Sequence, residues 1–141
     1  MNKIRVYISH PIMGSKKEKA TKEDMVENNN KAIIFGSLLQ CKFPNVDFYI
    51  PAVGDEFVMM AYETGLLTIE QILEIDCKLL SKRNILLNYI PDQYISDGML
   101  KENMCAQECG IPILMAKDID AAEKVLNRAL ESIRRNGKWR W

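Results

Sequence analysis

The chain lacks most of the features that assign a class at once. Its 141 residues contain no apolar run approaching the roughly 20 residues that span a bilayer, so no membrane partner is expected. Neither sign of charge is in excess, with 19 Lys+Arg against 19 Asp+Glu. That balance argues against a protein that coats a nucleic-acid polymer or a membrane surface, since both usually carry a basic excess. There is one histidine, and the four cysteines (Cys41, Cys77, Cys105, Cys109) form no CxxC pair. Neither the ligand mix nor the spacing of a zinc site is present. The expectation is no metal, no cofactor, and buried, reduced thiols in a cytoplasmic protein. The N-terminus MNKIRVYISHPIMG carries His10 and Pro11 where a secretory leader would need an apolar core, and reads as a first strand.

What is present is an ordinary composition for one globular domain, 48% hydrophobic and 27% charged. Residues 3–9 alternate Ile4, Val6 and Ile8 with Arg5, Tyr7 and Ser9, a strand pattern. A Pro-, Gly-, Ser- and Lys-containing loop follows to Lys22, and Thr21 or Lys22 opens a long helix to about Lys42. The polar run Asn28–Asn30 interrupts that helix's apolar side. Val46, Phe48 and Ile50 mark a second strand, stopped by Pro51. A helical stretch then ends at Gly65, and Thr68 with Gln71 forms a capping-box pattern opening another helix. The apolar runs 84–90 and 111–116 read as buried strands. Between them a helix starts near Ser96 or Asp97 and is closed by Gly110. Asp118 opens a last helix to about Asn136. The five residues GKWRW that follow are basic and aromatic and receive no assignment.

Strands alternating with helices predict an α/β fold: a single Rossmann-like (flavodoxin-like) three-layer domain over residues 1–141, with a parallel sheet of four to five strands. Ligands of such sheets bind outside the carboxyl ends of the strands, near the point where strand order reverses. Three segments fall there: YISHPIMGSKK after the first strand, the stretch just after FYIPA, and YIPDQYISDGMLKE after the third strand. In the last of these, Ser96 or Asp97 suits an N-cap, Gly98 permits close backbone approach, and exposed N–H groups make an anion seat. Glu102 lies about a turn further in, as an ionised carboxylate of the kind glycoside cleavage needs as nucleophile or base. Asp76, among Ile75, Cys77, Leu79 and Leu80, is expected to be partly buried with a raised pKa that suits a proton donor. Tyr7, near the end of the first strand, can offer a hydroxyl to the site. Lys16, Lys17, Lys19 and Lys22 form a local basic run able to attract a phosphate.

Taken in order, these segments resemble the nucleoside 2-deoxyribosyltransferase superfamily. Tyr7-Ile-Ser-His-Pro-Ile-Met-Gly14 is similar to its N-terminal Y-x-[AG]-x-P-x-x-G signature. Asp76 and the following strand into Asn84–Asp92 resemble its middle block. Ser96-Asp-Gly98-Met-Leu-Lys-Glu102, with Ala106 and Gly110-Ile-Pro, resembles its catalytic block. The resemblance spans about residues 3–116. It implies cleavage of the N-glycosidic bond of a nucleoside or nucleotide, a small-molecule partner, with Glu102 as nucleophile and Asp76 handling the proton on the leaving base. Tyr7 would orient Glu102 or the sugar, and Ser9, His10, Pro11, Ile12 and Gly14 would line the sugar and base pocket. Ser96 and Gly98 would hold the substrate's far end. Ser at position 96 favours the branch that hydrolyses (deoxy)nucleoside 5′-monophosphates over the branch that transfers deoxyribose between bases, and leaves ribose or 2′-deoxyribose open.

Several positions depart from the pattern. Ser9 replaces Ala or Gly, His10 stands where Gly is frequent, and Leu100 where a glycine is often found. The arginine common near Met13 is missing, so Lys16, Lys17 or Lys19 would supply phosphate charge. These departures keep open a base-exchanging 2′-deoxyribosyltransferase and a non-catalytic nucleotide sensor. Members of the superfamily close their clefts with a neighbouring subunit, which implies a homodimer or higher homo-oligomer.

Overall fold

A computed structural model describes residues 3–136; the GKWRW tail lies outside them. Four strands form one parallel sheet: β1 (Ile4–Ser9), β2 (Val46–Tyr49), β3 (Ile85–Tyr89) and β4 (Ile113–Ala116), in the order β2-β1-β3-β4. Five helices connect or follow them: α1 (Lys22–Lys42), α2 (Asp55–Glu63), α3 (Ile69–Leu80), α4 (Asp97–Glu108) and α5 (Ile119–Asn136). This is the Rossmann-like three-layer α/β architecture expected from the alternation, with four strands. Short 3-10 turns at Gly14–Lys19 and Pro51–Gly54 add structure where the sequence reads as loop or strand end.

The period-two pattern of β1 decides which side chains go where. Val6 and Ile8 join Phe35 and Leu39 of α1 and Leu126 and Ala129 of α5 in the larger core on one face. Tyr7 points the other way, into a smaller core with Leu80, Leu86 and Ala106 beneath α3 and α4. On α1, a Cβ at Gly36 would meet Ile50 Cδ1 at 2.3 Å. The missing side chain therefore lets the helix lie close against Ile50 at the end of β2.

Local signals explain most helix ends. Thr21 and Asp24 exchange hydrogen bonds (2.9 and 3.1 Å), as do Thr68 and Gln71 with the same two lengths. Each is a reciprocal cap that satisfies two otherwise orphaned N–H groups. Ser96 Oγ accepts from Met99 N at the start of α4, and Asp118 Oδ1 accepts from Ala121 N at the start of α5. Gly65 and Gly110 end α2 and α4 with φ of 75° and 68°, a conformation that a side chain would strain.

The thiols differ from expectation. Cys77 on α3 and Cys105 on α4 form a disulfide, and Cys41 and Cys109 are exposed. The pair is 28 residues apart in sequence, but α3 and α4 pack side by side and bring the two Cα atoms to 5.9 Å. No cysteine spacing encodes that contact. Among the described residues, no helix is long and apolar enough to cross a membrane.

Candidate active site

Strand order reverses between β1 and β3, since the chain moves outward to β2 on one side and to β4 on the other. At the carboxyl end of β1 a cleft of about 130 Å³ opens there, floored by Tyr7 and Ser9 and walled by residues of α2, α3 and α4. Glu102 from α4 and Asp76 from α3 enter the same cleft, as the sequence led one to expect of the two acids.

Glu102 is 9% exposed, and its Oε1 accepts a 2.8 Å hydrogen bond from Ser9 Oγ. Burial pushes its pKa up to about 7. The Tyr7 and Ser9 hydroxyls favour the ionised form and oppose the rise, while the nearby Asp76 charge adds to it. Asp76 is half-buried and is raised to about 6 by desolvation. Tyr7, 1% exposed, is held far above its ordinary range, first by burial and then by the two acids, so it stays a hydroxyl at any working pH. The cleft thus pairs two carboxyl groups that exchange protons near neutrality with two neutral hydroxyls beside one of them. Such a pair can supply a nucleophile or base and a proton donor in one site.

The structure distributes the other expected residues unevenly. His10 and Ile12 line the cleft. Ser9 floors it too, but its hydroxyl is committed to Glu102, which makes it a partner of the acid more than a contact for ligand. Pro11 and Gly14 line a small recess next to it, shared with His10, Asn28 and Tyr89. Ser96 and Gly98 are not among the cleft-lining residues: Ser96 Oγ caps α4, and Gly98 lies near Leu73. They stand about one (Gly98) and nearly two (Ser96) helical turns from Glu102, at the N-terminal end of α4. Lys17, in the 3-10 segment, places Nζ 5.6 Å from the Tyr94 ring centre and so reaches the loop that leads into that end of α4.

Other lining residues carry no individual sequence signal. Tyr49, from β2, packs at a tilt against Tyr7 with ring centres 5.4 Å apart, and the Arg83 guanidinium lies 4.7 Å from its ring centre. Ala52, Asp55, Val58 and Ile72 complete the walls. The stretch after FYIPA falls at the sheet edge by sequence, but none of its residue types points to a particular chemistry. Asp55, Asp76 and Glu102 are the charged lining residues, and none is Lys or Arg. Among the described residues, no group of three or more His, Cys, Asp or Glu side chains is placed to hold a metal ion.

The fold and site together define a Rossmann-like α/β protein with a carboxylate pair at its topological switch point. Comparison with protein-family models, with curated proteins and with solved structures gives no match.

Proposed function

We propose that the protein is an N-glycosidase of the nucleoside 2-deoxyribosyltransferase type, hydrolysing a 2′-deoxynucleoside 5′-monophosphate to free base and sugar phosphate. The observation that carries this reading is the meeting of Glu102 and Asp76, from different helices, in one cleft with Tyr7 and Ser9 beside Glu102. In this reading ionised Glu102 attacks the anomeric carbon as the C–N bond breaks, and Asp76 delivers its proton to the departing base nitrogen. Water then gives a proton to the Asp76 carboxylate as its oxygen replaces Glu102 at the sugar, regenerating both groups, or Glu102 activates that water directly. The substrate's phosphate is assigned to the N-terminal end of α4, where unpaired N–H groups favour an anion. Lys17 stands close enough to that loop to add the cationic charge the cleft lining lacks.

A second reading, base exchange between nucleosides, draws on that same absence of Lys and Arg in the cleft, and on Asp97 at the helix start. A nucleoside without a phosphate would meet no repulsion there. The small open cleft also supports assembly into a homodimer. Val53, Phe57, Met60 and Leu66 present large apolar side chains to solvent on and around α2, with Phe57 79% exposed.

The test incubates the protein with each common nucleotide and nucleoside, with and without a second free base, and separates the products. Free base and sugar phosphate from a nucleotide support the hydrolase. New nucleoside formed only when a second base is present supports the transferase. Neither product from any substrate refutes the N-glycosidase reading.

A further inference from the structure

The cleft has a second polar wall that the two acids do not explain. His10 directly follows β1, Asn29 lies in the first half of α1, and Asp55 opens α2. His10 Nε2 lies 2.7 Å from Asn29 Oδ1, and Asn29 Nδ2 donates to Asp55 Oδ2, also at 2.7 Å. His10 and Asn29 are only 9% and 7% exposed. The chain of partners fixes every orientation. A carboxylate oxygen only accepts, so the Asn29 amide must turn its NH2 toward Asp55 and its carbonyl oxygen toward His10. That oxygen also only accepts, so His10 must carry its proton on Nε2.

The other ring nitrogen is then an unprotonated acceptor, because burial holds the imidazole pKa below its ordinary value and keeps the ring neutral. Among the described residues Nδ1 has no hydrogen-bond partner. Nor does it belong with the fully buried orphan side-chain atoms among the described residues, Arg83 Nε and Asn88 Oδ1. It is therefore reached from solvent, on a residue that lines both the cleft and the recess beside it.

We propose that His10 Nδ1 is a fixed hydrogen-bond acceptor that reads an uncharged N–H or O–H donor on the ligand, making His10 a specificity-determining residue. Asn29 and Asp55 are positioning residues that hold its tautomer. The proposal rests on the N-glycosidase reading, within which the donor belongs to the base or to a sugar hydroxyl. A phosphate, with no proton to give, finds no partner on this wall. The polar run in α1 that breaks its apolar pattern gains a purpose here: Asn29 is buried because it bridges His10 and Asp55.

The protein has one histidine, so a long-range 1H–15N spectrum shows a single imidazole. At pH 7 the expected ring is neutral with its proton on Nε2. The proton on Nδ1, or an imidazolium, overturns the proposal before any ligand is added. The four common 2′-deoxynucleoside 5′-monophosphates are then titrated into the Glu102→Gln protein, which holds substrate without turnover. Free bases and 2-deoxyribose 5-phosphate follow as separate arms. The Nδ1 resonance should move with the nucleotide and with one arm, which identifies the donor as base or sugar. A probe that binds, as seen in the backbone amides of the cleft, but leaves Nδ1 unmoved overturns the acceptor and leaves the glycosidase reading intact. No binding by any probe, with no base release by the wild-type protein, overturns both. His10→Phe should reduce discrimination against a substrate lacking the donor by about tenfold.

Discussion

Replacing Ser9 with alanine removes one of the hydroxyls that favour the ionised Glu102 carboxylate, the 2.8 Å hydrogen bond from Ser9 Oγ to Oε1, and leaves Tyr7 in place. Both groups are buried, Ser9 at 2% and Glu102 at 9% exposure, so the bond is largely shielded from solvent. A hydrogen bond to a charged acceptor is worth about 1.5–3 kcal/mol, and it stabilises the ionised form alone. Its loss should raise the Glu102 pKa from about 7 by about one to two units. The sign follows directly: attack requires the carboxylate, so a higher pKa removes the active form at low and neutral pH. At pH 7 the ionised fraction falls about 5- to 50-fold. By about pH 10 both proteins are mostly ionised and the difference nearly closes. The assay is kcat/KM for base release across pH 5 to 10, wild type against Ser9→Ala, on a substrate that turns over. A large wild-type advantage at acid pH that shrinks toward one at alkaline pH is the expected signature. A constant ratio at all pH values, or a Ser9→Ala protein more active in acid, would refute the role given to this bond.

Glu102 should also weaken the fold it sits in. Its folded pKa of about 7 exceeds its ordinary 4.5, so the unfolded chain sheds the proton first as pH rises. Stability is therefore present below the unfolded value and lost between about pH 4.5 and 7, amounting to about 3 kcal/mol. Urea unfolding should show this decline in the wild type and a shallower one in Glu102→Gln. An equal slope in both would place the decline elsewhere. The Cys77–Cys105 disulfide closes a loop of 28 residues, for which chain entropy gives about 3–4 kcal/mol. A Cys77→Ser, Cys105→Ser double variant should lose that much by urea titration, and an unchanged midpoint would contradict it. Light scattering should give the mass of a homodimer or larger at micromolar concentration. Phe57→Glu, which puts a charge on the exposed face of α2, should shift the mass toward the monomer; a monomeric wild type would end the proposal that copies cover this face.

The fold was legible because each layer of it repeats a local rule. Alternating residues in 3–9 and apolar runs at 84–90 and 111–116 became β1, β3 and β4, and the Thr68–Gln71 box opens α3 as its spacing required. Asp76 was legible as an acid in an apolar stretch, and Glu102 through its place in a segment that resembles the superfamily's catalytic block, its local pattern alone being an ordinary one. What stayed hidden depended on contacts between elements. Ser9 read as part of the substrate pocket, and only the approach of α4 to β1 turned its hydroxyl onto Glu102. Asn29 read as a break in a helix face, because its two partners lie 19 and 26 residues away. Cys77 and Cys105 read as separate thiols until α3 and α4 were packed together.

The central claim is that Glu102 in this cleft breaks an N-glycosidic bond, and product chromatography of one reaction pair tests it most directly. Wild-type protein and Glu102→Gln are incubated with the same panel of 2′-deoxynucleoside 5′-monophosphates. Glu102→Gln preserves the side chain's size and an oxygen for Ser9 but removes the nucleophile. The account predicts free base and deoxyribose 5-phosphate from at least one nucleotide with the wild type, and a loss of about 1,000-fold or more with the variant. Tight nucleotide binding without any released base, or equal release by both proteins, would contradict it.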